Sequence, residues 1–391
     1  MTTMARVPGP WRGRSGMVRA AAALGALSIA AAGMATAASG ATAATGRASG
    51  AGAQRSRTAT AGMKTGWIYD GSVSDKGYDE EWYQAQVYLE KHLGITATFT
   101  QNTPYTSQWT STGESMATSG AKILFDPGDG GSLFYAACAK EPKVACVESN
   151  GVKPFPSNVV SVYDENWLVD YLEGMAAGML TKTGKIGFLA AFSNTPAPVN
   201  EWLNALVLGC QATHPGCKAL VDVVNSWYDP PKETEDANAL VDAGADVIGS
   251  TENDPIAVEV AQKRHVWGLG SWGNGVASGP DSFVLSQIID WAPALETIVK
   301  QVADGTFHGG RIEVFGFGPG LKLSPWGPKV PAKVRARVDA AYEQMSRGKN
   351  FFCGPIYDTA GKLRVPKGKC LSTMYIYDQW NWYVRGVTIS K

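Results

Sequence analysis

Histidine is scarce in this chain of 391 residues: His92, His214, His265 and His308 are the four present, and no two stand four apart with a Glu between them. The His-Glu-x-x-His metalloprotease pattern is thereby excluded, because it needs two imidazoles on one helical face. No Gly-x-Ser-x-Gly occurs either, and the near match Leu269-Gly270-Ser271-Trp272-Gly273 has the wrong first residue for a serine-hydrolase elbow. Gly316-Phe317-Gly318-Pro319-Gly320 lacks the helix start that a phosphate loop requires. No pair of cysteines has Cys-x-x-Cys spacing, so no zinc site is read. An excess of charge of one sign is missing too. The 35 basic and 35 acidic residues cancel, which leaves no broad field to attract nucleic acid or anionic lipid. Charged residues make up only 18% of the chain, against about a quarter in an ordinary globular protein.

What is present begins with an address. Arg6, Arg12, Arg14 and Arg19 precede an apolar run from Ala20 to about Ala38, and Ala41, Ala43 and Ala44 offer small residues for cleavage. Residues 1–44 therefore read as a secretory signal peptide rather than a retained anchor, since Ala and Gly are only weakly hydrophobic. No Cys lies near that site to carry a lipid, so lipid tethering is unsupported, and the product reads as exported, extracellular or associated with the cell envelope. Residues 45–63 are Gly, Ala, Ser, Thr and Arg without periodicity, a disordered spacer. All six cysteines follow it. Short loops close most easily, which favours Cys138 with Cys146, Cys210 with Cys217 and Cys353 with Cys370; the alternative is one or two pairs left as buried thiols.

From Lys64 to about Phe317, strand-like runs alternate with helical stretches. The strands are Thr65 to Tyr69, Ile95 to Thr100, Ala121 to Phe125, Val144 to Glu148, Lys185 to Ala191, Ala219 to Ser226, Ala245 to Ser250, Val266 to Gly270 and Phe283 to Ile288. Such alternation predicts an α/β fold with parallel sheets covered on both faces. One sheet of that width is improbable. The chain divides near Asp164 to Thr183, giving a first lobe over 64–164 with a return segment near 267–310, and a second lobe over 165–266. The last part, 311–391, braces the lobes: a helix from Lys329 to about Arg347, a turn at Asp358 to Lys362, and a strand at Tyr375-Ile376-Tyr377 whose aromatics pack.

In open α/β sheets ligands gather outside the carboxyl ends of the strands. Four such junctions here carry aromatic and hydrogen-bonding groups. Ser74-Asp75-Lys76-Gly77-Tyr78-Asp79 follows the first strand, where Asp75 or Asp79 capping the next helix is the plain alternative. Trp227-Tyr228-Asp229-Pro230-Pro231 runs into a helix whose first turn suits proline. Ser250-Thr251-Glu252-Asn253-Asp254 and Gly270-Ser271-Trp272-Gly273-Asn274 complete the set. If the lobes face each other, Tyr78 and Trp227 can clamp a flat ring while carboxylates and amides read its edge.

At these junctions the chain resembles the basic membrane protein family, the purine- and purine-nucleoside-binding components of ABC transporters. The matching segments are Asp75-Lys76-Gly77-Tyr78-Asp79 with Trp82, where the family has Asp-Lys-Ser-Phe-Asn and then Trp; Tyr171-Leu172-Glu173-Gly174-Met175-Ala176-Ala177-Gly178; Gly184-Lys185-Ile186-Gly187; Trp227-Tyr228-Asp229-Pro230; Gly244-Ala245-Asp246-Val247-Ile248; and Gly361-Lys362-Leu363-Arg364-Val365-Pro366. They stand in the family's order over nearly all of the mature chain. The resemblance implies a type I periplasmic-binding-protein fold: two doubly wound parallel-sheet lobes joined by a hinge, closing on a small molecule and handing it to a membrane permease. It implies a monomer with no catalytic residue, cofactor or metal.

Carried over by position, Asp75, Asp79 and Tyr78 match the family's binding loop, Trp227 matches an aromatic that stacks on the base, and Asp126 and Asp129 fall in a ligand-facing loop. Glu252, Asn253, Ser271 and Trp272 join them as candidates. Where the family carries Asp near Gly270 to hold a ribose, this chain has Ser271, Trp272 and Asn274, which brings a free purine base into range beside a nucleoside-like ligand. The alternatives are a secreted sensor of the same ligands, or a secreted nucleoside or glycoside hydrolase working through paired carboxylates.

Overall fold

The structure, a computed structural model, describes residues 59–193 and 199–390. The expected signal peptide and most of the expected spacer lie outside the described residues. The spacer's last residues are packed rather than free: Thr60 is buried, with Oγ1 donating to the Leu93 carbonyl at 2.6 Å, and Gly62 N donates to the Gly94 carbonyl at 2.8 Å.

Six strands form the first sheet: β1 (Lys64–Ile68), β2 (Thr96–Thr100), β3 (Ile123–Asp126), β4 (Ala145–Ser149), β5 (Val159–Asp164) and β11 (Arg311–Phe315). Their order is β11-β5-β4-β3-β1-β2, and every pairing is parallel. The second sheet has five strands, β6 (Lys185–Ala190), β7 (Lys218–Val223), β8 (Val247–Ser250), β9 (Trp267–Gly268) and β15 (Val387–Ile389), in the parallel order β15-β7-β6-β8-β9. Parallel neighbours need crossovers, so helices cover both faces of each sheet. On the first sheet, α1 (Tyr78–Leu93) and α8 (Ala292–Ala303) bury one face, where Trp82 stacks on Trp291 at 4.4 Å, and α2 (Ser107–Thr118) with α3 (Ser132–Lys140) buries the other. On the second, α4 (Trp167–Leu180), α5 (Val199–Thr213) and α9 (Ala332–Ser346) oppose α6 (Pro230–Asp242) and α7 (Ile256–Arg264).

The chain passes between the sheets after β5, between β9 and α8, and again after β11. Two short strands on these crossings, β10 (Gln287–Ile289) and β12 (Leu321–Leu323), pair antiparallel. The crossing back to the first sheet therefore comes later than the expected return near residue 267, because β9 still belongs to the second sheet. Strands β5, β11 and β15 were not marked from sequence. Val159-Val160-Ser161-Val162-Tyr163-Asp164 is buried along its whole length, so it shows no alternation to betray it.

In the tail, β13 (Ile356–Tyr357) and β14 (Leu363–Val365) form a hairpin through the turn expected at Asp358 to Lys362. The expected strand at Tyr375 to Tyr377 is instead helical, within α10 (Thr373–Gln379). Ser372 caps it by accepting from Tyr375 N, and three alternating residues are too short a pattern to tell strand from a buried helical turn. The tail touches both lobes: β15 lies beside β7, while the Tyr377 hydroxyl donates to the Gly151 carbonyl at 2.7 Å. The disulfides are the three local pairs, Cys138–Cys146, Cys210–Cys217 and Cys353–Cys370.

Helices α4 and α5 come close enough for backbone contact, which explains the small residues of Tyr171-Leu172-Glu173-Gly174-Met175-Ala176-Ala177-Gly178. A Cβ on Gly174 would overlap the Leu206 carbonyl, and one on Gly209 would overlap the Tyr171 carbonyl. Gly209→Ala adds a methyl that neither backbone can yield to, and overpacking of this kind costs about 1–3 kcal/mol, more than the helix propensity gained. Urea denaturation of the two proteins checks that loss.

Candidate functional site

Because the strands of each sheet run in one direction, their carboxyl ends gather on one edge, and the two edges face each other across a slot. Asp70 and Tyr78 follow β1, Tyr105 follows β2, Pro127, Gly128 and Asp129 follow β3, and Asn150 follows β4. Asp164 ends β5, with Asn166 just beyond it. From the other side come Trp227 after β7, Asn253 after β8 and Trp272 after β9, with Trp202 projecting from α5. About 400 Å³ of space, part of it open to solvent, lies between these walls as a slot lined on both sides by aromatic rings.

The walls are rigid. Tyr78 sits in the first turn of α1 with its hydroxyl paired to Ser149 Oγ, and its ring meets Trp272 edge-on with centroids 4.9 Å apart. Trp272 is held by its indole N–H, which donates to the Glu252 carbonyl at 2.8 Å, and it packs at 5.3 Å against Trp202. Half-buried Trp227 stands edge-on to Phe192 at 5.4 Å, and its carbonyl accepts from Asn253 N at 3.0 Å. Tyr105 stacks on Trp109 and donates its hydroxyl toward Asp70 Oδ2 at 2.9 Å and the Gly128 carbonyl at 2.7 Å. Asp129 and Asn150 turn the chain sharply with left-handed backbones, φ 55° and 61°, which their residue types tolerate.

Of the residues marked from sequence, Tyr78, Asp129, Trp227, Asn253 and Trp272 line this one slot. The other five do not, and four of them have a structural task. Asp75 accepts from Gly77 N at 2.8 Å, Asp79 N at 3.1 Å and Glu80 N at 3.2 Å, capping the first turn of α1. Asp79 is fully buried and accepts from Gly71 N at 3.0 Å, while Asp126, also fully buried, accepts from Gly130 N at 2.9 Å and shapes the loop that carries Asp129. Glu252 is buried beside Glu233 and Asp254, away from the slot. Ser271 Oγ donates to the Ser250 carbonyl at 2.7 Å, joining the ends of β8 and β9. Sequence reasoning missed Asp70, Asn150, Asp164 and Asn166, although each stands within two residues of a strand's end; Trp202, on a helix, gave no such signal.

The slot is acidic, and burial holds its carboxyls above their usual range. Burial pushes the Asp164 carboxyl from 3.8 to about 8, with Glu165 adding to the shift, and burial with Asp70 nearby pushes Asp129 to about 7. Asp75, at the start of α1, rises to about 6 for the same first reason, burial. At Gly77 the lobes touch: a Cβ there would overlap the Asn253 carbonyl of the opposite lobe and press on Trp272.

A family model described as ABC transporter substrate-binding protein PnrA-like matches residues 63–321. The chain belongs to this family. It is 28% identical over 332 residues to the purine-binding protein of Brucella abortus, covering 83% of this chain and 93% of that one. It is 29% identical over 306 residues to a putative ABC transporter glucose-binding protein of Haloferax volcanii, covering 72% of each. Among solved structures, an ABC solute-binding protein from Aeropyrum pernix superposes with a TM-score of 0.62 at 16% identity, over 75% of this chain and 94% of that chain. One from Conexibacter woesei gives 0.56 at 23% identity, over 73% and 97%. These likenesses show the fold, which is the periplasmic-binding-protein architecture expected from the resemblance. As a substrate-binding protein of the ABC class, the chain has a small-molecule ligand and a transporter permease as its partners.

Two measurements test this geometry. Gly77→Ala leaves no room for the closed approach of the lobes, so ligand affinity should fall by about tenfold or more, with a larger radius of gyration by solution scattering. For Asp164, the unfolded chain releases its proton near pH 4 while the folded protein holds it to about 8, so folded stability falls as pH rises through that window. Asp164→Asn removes this penalty: its urea midpoint should exceed that of the parent at about pH 8.5 and approach it at about pH 5.

Proposed function

We propose that this protein is an exported, monomeric receptor of an ABC importer that captures a purine base or nucleoside-like ring in the slot between its lobes. The observation that carries this reading is that Tyr78 from one lobe and Trp227 from the other line the same cavity. Aromatic walls supplied by opposite lobes let one planar guest satisfy both at once, and this links capture to closure about the crossing segments. The printed name of the Brucella relative, which aligns over most of both chains, supports the choice of a purine. Export is supported by the Arg-then-Ala amino end and by three disulfides, bonds that persist in oxidising compartments. Binding, rather than catalysis, is the role assigned to the acids at the slot.

Native mass spectrometry of the purified protein should show a co-purified aromatic heterocycle. Trp227→Ala should weaken its binding by about 1–3 kcal/mol in calorimetry, the range for loss of one base-stacking surface. An unchanged affinity would remove Trp227 from the site.

A further inference from the structure

The slot is lined by carboxyls, with no cation among the described residues to balance them. Asp70, Asp129, Asp164 and Asn166 line it; Asp164 Oδ2 and Asn166 Oδ1 are buried without a donor, and Asp164 is only 2% exposed. The amide of Asn166 is oriented by its own Nδ2, which donates to the Tyr163 hydroxyl at 3.1 Å, and that hydroxyl donates to Glu201 Oε1 at 2.8 Å. Asn166 Oδ1 is thereby left without a donor of its own. The indole N–H of Trp202 is likewise buried and unpartnered, and Asn150, Trp227 and Asn253 line the same slot. Among the described residues no Lys, Arg or His lines the slot, and Asn194-Thr195-Pro196-Ala197-Pro198 adds no charge in sequence. Buried acceptors left without donors are costly, and buried carboxylates more so, unless an incoming group supplies both N–H donors and positive charge. Indole and phenol faces, present here in Trp202, Trp227, Trp272 and Tyr78, attract cations as well.

We propose that this slot selects an aromatic ring bearing a positive charge shared over N–H-bearing nitrogens, of the amidinium kind, over the neutral ring of the same shape. The inference rests on the reading of the slot as the solute site. The groups that surround its acids cannot supply the missing charge. Around Asp129 stand Asp70, Asp126 and Glu148 with Tyr78, Tyr105, Tyr135 and Tyr377; around Asp164 stand Glu81, Glu165, Asp170 and Glu201 with Tyr78 and Tyr163. All are acids or phenols. A cation pairs with the ionised carboxylates, so its entry drives protons out, and its affinity rises with pH across the range in which Asp129 and Asp164 titrate. A neutral guest that accepts hydrogen bonds from protonated carboxyls shows the opposite slope.

The test is calorimetry on the purified protein with two matched pairs, benzamide against benzamidine and adenosine against the cationic 1-methyladenosine. Titrations between about pH 6 and pH 8, in buffers of different ionisation heat, count the protons exchanged. The expected result is that the cation of each pair binds at least about tenfold tighter, releases protons and gains affinity with pH. Asp129→Asn, whose residue tolerates the same left-handed backbone, and Asp164→Asn should each lower the ratio of cation to neutral affinity and reduce the protons released on binding the cation. Equal or tighter binding of the neutral partners, or affinity falling as pH rises, would overturn the inference and leave the slot as the solute site. Failure of all four compounds to bind would overturn both.

Discussion

A parallel strand reaches its neighbour only through a crossover, and this constraint organises the whole molecule. Crossovers put helices on both faces of each sheet, so the faces are sealed and only the strand ends remain open to a ligand. Because all strands in a sheet share a direction, the loops at their carboxyl ends converge on one edge. Eight connections from two sheets, and one residue from α5, meet in this way around a single slot. No loop needs to be long. Most lining residues stand one to a few positions beyond the end of a strand, as with Asp70 after β1 and Asn253 after β8, while Tyr78 is carried further, in the first turn of α1.

The slot concentrates what the rest of the protein avoids. With charge at 18% and balanced overall, acids are nonetheless gathered and buried around the strand ends, and Asp129 and Asp164 titrate near neutrality as a result. Such an arrangement lowers the stability of the empty protein as it ionises. A binding site can sustain that loss because a complementary guest returns it on binding, and because the covered sheet faces and three disulfides hold the scaffold independently of the slot. Four of the five acids and polar residues that sequence marked but the slot does not use belong to the same economy of construction. Asp75, Asp79 and Asp126 use their carboxylates on backbone N–H groups, and this support aims Tyr78 and Asp129 at the guest.

Close backbone approach recurs at the places where geometry is tightest. Gly174 and Gly209 let α4 and α5 touch, which seats the second lobe's helices, and Gly77 lets a loop of one lobe meet the Asn253 carbonyl of the other. A Cβ at Gly77 would also press on the ring of Trp272.

Chain order and spacing pointed to the alternation of strands and helices and to the two lobes, favoured the local pairing of cysteines, and marked Tyr78, Trp227 and Trp272, which line one slot. These depend on periodicity, on short loop closure and on position after a strand, all of which are local. Strand β5 and its terminal Asp164 escaped notice because a segment buried on both faces has no alternating pattern, and Trp202 escaped because a helix residue facing a slot looks like one facing a core. Which carboxylates cap and which face the guest was settled only by folding. Asp75 and Asp79 are near neighbours of Tyr78 in sequence, but a side chain's partner is whatever the packed backbone places within 3 Å or so, and that depends on residues brought together from both sheets.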